Sequence, residues 1–166
     1  MSGKVLKEDQ VEALDRLVDE VGALQCKLVL LIGQPHSGKS KLVRALAAKK
    51  HVNPLNVGYE LGSRLAVLPQ KQRHLKTATI LRELADEHAN GDLLLIDNIE
   101  LLFDRSLQLD PLDLLKRHAH ARRVVAVWPG ELKGESGTGR LTYAETGHPE
   151  HQDYGLAGVV PFEIQQ

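Results

Sequence analysis

The chain has 166 residues, of which 42% are hydrophobic and 26% charged, and its 21 basic and 22 acidic side chains leave a formal net charge of −1. This length suffices for a single domain spanning 1–166 and is too short for two ordinary domains. The balanced charge excludes a global electrostatic attraction to nucleic acid.

The first predicted element is an amphipathic helix in the N-terminal segment 1–26. Between Glu8 and Gln25, apolar residues recur at helical spacing and acidic residues lie on the other side. The apolar set is Val11, Leu14, Leu17, Val18, Val21 and Leu24. We expect this helix to precede the first strand.

An octet of the form G-x-x-x-x-G-K-[ST] follows the apolar run 27–32 and precedes a helix-like stretch, 41–50. Glycines let such a loop curl so that successive main-chain N–H groups point at one anion, and the N-terminus of the next helix adds partial positive charge. Lys39 is expected to neutralise β- and γ-phosphate oxygens, and Ser40 to ligate Mg²⁺. The predicted nucleotide-binding residues are Gly33, Gln34, Pro35, His36, Ser37, Gly38, Lys39 and Ser40.

The region between the octet and the second apolar run is less regular. Residues 52–57 form a proline-interrupted, strand-like patch, and residues 58–68 predict a short helix. The polar, basic stretch 69–76 predicts a hinge that leads to a helix over 77–89. An Asn-Gly pair is expected to end that helix.

The second apolar run, 93–96, has the form of a Walker B strand that ends at Asp97. Four consecutive large apolar residues predict a central parallel strand covered on both faces, and ligands bind at the carboxyl edge of such sheets. Asp97 is therefore expected beside the phosphate loop, where it would hold the Mg²⁺ coordination sphere. The alternative is an acidic helix cap after a core strand.

The residues after Asp97 decide whether a bound nucleotide is hydrolysed. Many ATPases with this kind of strand carry a glutamate in the next position to orient the attacking water, but here that position is Asn98, which cannot act as a general base. Glu100 is the substitute candidate, and the alternative is a solvated Glu100 on the first turn of a helix. We expect Glu100 or Asn98 to position water, and hydrolysis to be slow or partner-dependent.

Residues 101–103 predict core, and an Asp-Pro pair at 110–111 predicts the start of a helix that ends near position 120. A further buried strand is predicted at 124–128. In ATPases of the AAA+ kind the equivalent strand ends in a small polar residue that contacts the γ-phosphate. Here Trp128-Pro129-Gly130 stands at that point, so we expect the sensor to be missing or rebuilt.

The last segment, 131–166, predicts a polar, Gly/Pro-rich C-terminal extension. Two strands are predicted within it, at 141–144 and 159–164. The extension leaves no room for a helical lid domain. Without a lid, we expect any conformational output to pass through loops or a partner surface.

Histidine and arginine residues suggest two further kinds of site. We reject a metal site at His118 and His120 or at His148 and His151, because neither group has the required partners. A DNA-binding stripe and a solvated helix face are both open for Lys116, Arg117, His118, Arg122 and Arg123. Arg105 and Arg140 are candidates for an arginine supplied in trans within a homo-oligomer.

Several segments together carry a family resemblance. They are the octet, 61–73, 94–103, Val127-Trp128-Pro129-Gly130, and Leu141-Thr142-Tyr143-Ala144 with Gly147-His148-Pro149-Glu150. Over nearly its full length the chain resembles the BrxF family, the small P-loop proteins of type 3 BREX phage-defence systems. The resemblance implies an ATP-binding component of a bacterial antiviral assembly, with a DNA methyltransferase and a phosphatase-like protein among its partners.

We therefore expect a three-layer α/β P-loop NTPase fold of the additional-strand, AAA+-like kind. Its mostly parallel five-stranded sheet would have a strand inserted between those of the two motifs, and no helical lid domain. The expected function is binding of ATP and Mg²⁺ with weak hydrolysis; a non-catalytic assembly adaptor and a small-molecule or nucleotide kinase are the alternatives. A lone Cys26 and the lack of any span of about 20 apolar residues predict a cytoplasmic protein.

Overall fold

The computed structural model describes residues 3–34, 36–133, 140–143 and 152–164, which form an α/β fold. The helices are α1 Gly3–Val21, α2 Lys39–Lys50, α3 Val57–Ala66, α4 Gln70–His88 and α5 Pro111–Ala121, with short 3-10 helices at Glu100–Phe103 and Arg105–Leu107. The strands are β1 Leu28–Ile32, β2 Leu55–Asn56, β3 Leu93–Asp97, β4 Arg123–Val127, β5 Glu131–Lys133, β6 Arg140–Tyr143, β7 Gln152–Gly155 and β8 Val159–Glu163. Within these described ranges, no helix combines the length and the apolar content needed to cross a bilayer.

Five strands form the main sheet in the order β2-β3-β4-β1-β8, and each neighbouring pair is parallel. The predicted parallel five-stranded sheet is thus confirmed, with β4 inserted between β1 and β3. Both β1 and β3 are buried along almost their whole length. Parallel strands covered on both faces are continuously apolar, which is why these two runs stand out in the sequence.

Helices cover both faces of this sheet. Residues 28, 30 and 32 of β1 belong to a core shared with α3, α4 and α5, whereas Val29 and Leu31 belong to a second core shared with α1 and α2. The alternation follows from the two-residue period of a strand. The apolar face of α1 is largely as predicted, but Leu24 lies beyond the end of the helix and is 45% exposed.

The hinge predicted at 69–76 is wrong, because α4 begins at Gln70. The Gln72 N–H donates to the Pro69 carbonyl at 2.9 Å, so the first helical turn closes directly after the proline. Glutamine, lysine and arginine are good helix formers, and their polarity here reflects exposure rather than a break in the helix.

The strand-like patch predicted at 52–57 forms only the two-residue strand Leu55–Asn56. Asn56 Oδ1 accepts a hydrogen bond from the Tyr59 N–H at 3.1 Å and so caps α3, which starts at the next residue. Because Asn56 serves as the N-cap of α3, the strand ends at this residue.

The strands β5, β6 and β7 form a second, antiparallel sheet, of which only β6 was predicted. Trp128 joins this small sheet to the main body: its Nε1–H donates to the Thr142 carbonyl at 3.0 Å, and its ring lies edge-on to those of Phe103 and Tyr154, each at 5.3 Å. The chain then returns to the main sheet, where β8 pairs with β1. Ala144 and residues 147–150 lie outside the described residues.

Candidate functional site

The loop between β1 and α2 is tightly curled. His36 and Gly38 both have left-handed main-chain angles, with φ values of 64° and 96°. The Ser37 N–H donates to the Gln34 carbonyl at 3.0 Å. A Cβ on Gly33 would lie 2.5 Å from Ser37 Oγ, so a larger residue there would displace the Ser37 hydroxyl. Pro35 lies outside the described residues.

The loop leads into the N-terminus of α2 without a side-chain cap. Gly38 occupies the N-cap position and has no side chain to accept the first N–H groups of the helix, which lack partners within the helix. Such an end carries partial positive charge and binds anions. Ser37 Oγ is buried with no hydrogen-bond partner among the described residues. Both features fit a phosphate group at this position.

Lys39 lies at the centre of the site. Its Nζ donates to the Gly33 carbonyl at 2.9 Å and to the Trp128 carbonyl at 3.1 Å, which joins the loop to the end of β4. Burial lowers the pKa of Lys39, and the carboxylates of Glu100, Glu131 and Asp97 oppose this shift. Lys39 is thus a partly buried cation whose two hydrogen-bond acceptors here are neutral main-chain carbonyl oxygens.

The structure brings Ser40 and Asp97 together. Ser40 Oγ donates to Asp97 Oδ1 at 3.0 Å, and the same carboxylate oxygen accepts the Asn98 N–H at 2.8 Å. Ser40 stands in the first turn of α2 and Asp97 at the carboxyl end of β3. A hydroxyl and a carboxylate are ligands that Mg²⁺ prefers, so these two side chains fit that ion.

Asn98 and Glu100 differ in where they lie. Asn98 has a φ of 60°, its Nδ2 donates to Asn56 Oδ1 at 3.0 Å, and its carbonyl accepts the Gly58 N–H at 2.9 Å. Its amide therefore contacts the start of α3. Glu100 is the exposed first residue of a 3-10 helix, and its charge opposes the lowering of the Lys39 pKa by burial. The chain thus turns into a helix after β3 and places Glu100 near the site.

Two features of the site were missed in the sequence. The Trp128 carbonyl binds Lys39 from the end of β4, where a missing or rebuilt sensor was expected, and Glu131 adds a further carboxylate near Lys39. Every residue has a main-chain carbonyl, so the residue type does not show which carbonyl contacts Lys39. Glu131 had a detectable signal, namely an acidic residue just after a strand that ends at the ligand-binding edge.

Several of the basic residues considered as a DNA-binding stripe or as a solvated helix face form ion pairs within the chain. Arg117 pairs with Asp113, Arg122 with Asp86 and Arg123 with Asp92. Arg105 is an exposed residue in the second 3-10 helix, and the Arg140 side chain lies outside the described part. Three of these basic residues thus have acidic partners within the chain itself.

The histidine pairs do not gain metal partners in the described residues. In that part of the chain, no group of three His, Cys, Asp or Glu side chains is arranged to hold a metal ion. The ring of His120 contacts the Gln25 carbonyl at 3.2 Å instead. His148 and His151 lie outside the described ranges.

Comparisons with known proteins do not assign the chain to a family. No protein-family model matches it, and no curated protein matches it. The geometry of the site is therefore what supports a function.

Proposed function

We propose that this protein binds Mg·ATP through a P-loop NTPase fold of the additional-strand, AAA+-like class. The observation that carries the proposal is the 3.0 Å hydrogen bond from Ser40 Oγ to Asp97 Oδ1. It joins the end of a curled glycine-rich loop to the end of a buried parallel strand. A glycine-rich turn that served only to connect a strand to a helix would not require this pair.

The order of the strands supports the same proposal. β4 lies between β1 and β3, so the phosphate-binding loop, the end of β4 and Asp97 share one edge of the sheet. Ligands of open α/β sheets bind at the carboxyl ends of the strands. The additional strand between the two motifs is the arrangement expected for this class.

Each residue of the site has a role in this proposal. The main-chain N–H groups of the loop and of the α2 N-terminus would hold phosphate oxygens, and Lys39 would exchange its carbonyl partners for the β- and γ-phosphates. Ser40 and Asp97 would ligate Mg²⁺. When bound, this ion neutralises phosphate charge and fixes the geometry of the triphosphate.

Hydrolysis is proposed to be slow or to depend on partners. Asn98 lacks a basic group, and its amide is engaged with Asn56. Glu100 is the better candidate to accept the proton of the attacking water because it lies near Lys39. Its side chain is exposed, so a partner surface is proposed to fix its position.

A second candidate function is a nucleotide-dependent assembly adaptor that binds ATP without cleaving it. The bond between Asn98 and Asn56 favours it, because the position that usually carries the catalytic glutamate serves here to hold α3. The resemblance to the BrxF family supports a place for either function in the cytoplasm, within a BREX-like phage-defence assembly and in contact with its other proteins.

Phosphate release from Mg·ATP separates these candidates. We expect slow release by the wild type, loss of release in Glu100→Gln and Asp97→Ala, and no change in Glu20→Gln, whose side chain is exposed on α1. Tight ATP binding without release, even with partners, favours the adaptor. Phosphate transfer to an added acceptor favours a kinase. Release that both site variants retain contradicts the ATPase proposal.

A further inference from the structure

Three hydrogen bonds of Asn98 hold the turn that follows Asp97. Its main-chain N–H donates to Asp97 Oδ1 at 2.8 Å, its carbonyl accepts the Gly58 N–H at 2.9 Å, and its Nδ2 donates to Asn56 Oδ1 at 3.0 Å. The φ of Asn98 is 60°, a left-handed angle that costs most residues other than glycine about 1–2 kcal/mol. The contacts with Asn56 and Gly58 therefore stabilise an unfavourable main-chain conformation beside Asp97.

Asn56 contacts two elements at once. Its Oδ1 accepts the Tyr59 N–H, which caps α3, and also the Nδ2 of Asn98. In the main sheet, Asn56 lies in register with Asp97. An N-cap side chain needs only its bond to the helix, so the contact with Asn98 is not explained by the cap.

Gly58 leaves room for this contact. A Cβ on Gly58 would lie 2.8 Å from Asn98 Nδ2 and 3.2 Å from Asn98 Cγ. Gly58 belongs to the first turn of α3, where alanine is the better helix former. The helix thus carries glycine at a point where a side chain would push the Asn98 amide away from Asn56.

The turn at Asn98 also determines how Asp97 presents its carboxylate. Asp97 Oδ1 accepts two hydrogen bonds, from the Asn98 N–H and from Ser40 Oγ at 3.0 Å. A change in main-chain conformation at residue 98 would move this N–H, and with it the carboxylate oxygen that Ser40 contacts. Asn56 and Gly58 therefore act on Asp97 through Asn98.

We propose that Asn56 is a positioning residue of the candidate magnesium site. Through Asn98 it holds the Asp97 carboxylate toward Ser40, and Gly58 provides the space for this connection. The inference rests on the proposed nucleotide-binding function, in which Ser40 and Asp97 ligate Mg²⁺. Removal of groups that orient metal ligands typically weakens metal binding by about 10- to 100-fold.

The test measures ATP affinity by calorimetry, once with Mg²⁺ and once with EDTA. Asn56→Ser keeps a hydroxyl that caps α3 but is one atom shorter, so it loses the bond to Asn98. We expect it to reduce the gain in affinity from Mg²⁺ by roughly tenfold and to leave the affinity in EDTA unchanged. Asn56→Asp keeps an acceptor oxygen in the same place and should retain the gain. A residue that served only to stabilise α3 would not separate the two affinities.

Gly58→Ala tests the same connection from the side of α3. Alanine favours the helix, yet its Cβ would displace the Asn98 amide, so we expect a similar loss of the gain from Mg²⁺. Gly62→Ala is the matched control in α3, because a Cβ there meets Leu101 at an ordinary 3.8 Å.

The ligand-free protein provides a second readout. Hydrogen exchange of the Asn98 main-chain N–H, followed by NMR, should be faster in Asn56→Ser and Gly58→Ala than in the wild type and Gly62→Ala. This measurement reports on the turn itself and does not require a bound nucleotide.

Failure of the inference and failure of the proposed function are distinguishable. If the wild type binds Mg·ATP and both Asn56→Ser and Gly58→Ala keep its gain from Mg²⁺, the role of Asn56 is overturned while nucleotide binding stands. An equal loss in Gly62→Ala overturns it too, because any change in α3 would then suffice. Unchanged hydrogen exchange in the ligand-free variants overturns the connection alone. If the folded wild type binds no nucleotide, the proposed function fails and this inference fails with it.

Discussion

Asn98 shows how main-chain geometry decides the role of a side chain at this site. The residue follows Asp97 directly, yet its φ of 60° places its amide 3.0 Å from Asn56 Oδ1. Asparagine tolerates left-handed angles better than most residues do. Its identity is thus explained by the local turn and by its contact with the start of α3.

The first prediction concerns Asn98→Glu, which introduces the residue type that many P-loop ATPases carry directly after the aspartate. We expect phosphate release no faster than in the wild type, because position 98 faces Asn56. We also expect the free energy of unfolding to fall by about 1–3 kcal/mol, from the left-handed angle and the lost amide hydrogen bond. Urea unfolding and a phosphate-release assay measure the two effects.

The matched control is Asn98→Gly, which accepts the left-handed angle and loses only the amide. Its loss of stability should be the smaller of the two. A tenfold faster release in Asn98→Glu would show that this position reaches the attacking water after all.

At the scale of elements, the connection from β4 to β5 is tightly packed at Gly130. Gly130→Ala would place a Cβ 1.4 Å from the Thr142 carbonyl oxygen and 2.9 Å from Trp128 Nε1. Main-chain atoms cannot rotate out of the way, so we expect the small sheet to separate from Trp128, at a cost above about 3 kcal/mol.

The readout for Gly130→Ala is direct because Trp128 is the only tryptophan and is fully buried. Its emission should shift to longer wavelength, and iodide should quench it. Gly155→Ala is the matched control in the same sheet, since a Cβ there meets nothing within 4 Å. Unchanged emission and stability in Gly130→Ala would contradict the described packing of the β4–β5 connection.

The elements predicted well from the sequence are those whose environment is uniform. β1, β3 and β4 are buried on both faces and read as continuous apolar runs, and the Asp110-Pro111 pair capped α5 as expected. The first turns of α4 were missed because exposed polar residues carry no apolar period. β5 and β7 were missed because short edge pairings depend on contacts with Trp128 and Thr142 that are distant in the chain.

At the scale of the whole molecule, the site is assembled from separate parts of the chain. The loop and the aspartate could be predicted from the sequence. Lys39 and Ser40 end an octet that follows one apolar run, and Asp97 directly follows the other. The carbonyl of Trp128 contacts Lys39 only because β4 inserts between β1 and β3. The strand order brings these distant residues together, so a local sequence pattern cannot predict the contact.

The proposed function requires that a nucleoside triphosphate binds at Lys39. Removal of its charged contacts with phosphate should weaken binding by roughly 10- to 100-fold in Lys39→Ala. Lys71→Ala, on the exposed side of α4, is the matched control and should bind as the wild type does. Both variants are expected to stay folded, because neither side chain belongs to the apolar cores.

Isothermal titration calorimetry with Mg·ATP, and with Mg·GTP in parallel, is the most direct measurement. We predict saturable binding at one site for the wild type and for Lys71→Ala, and a greatly weakened signal for Lys39→Ala. A folded, nucleotide-free wild-type protein that gives no heat with either nucleotide would contradict the account, as would equal affinity in Lys39→Ala.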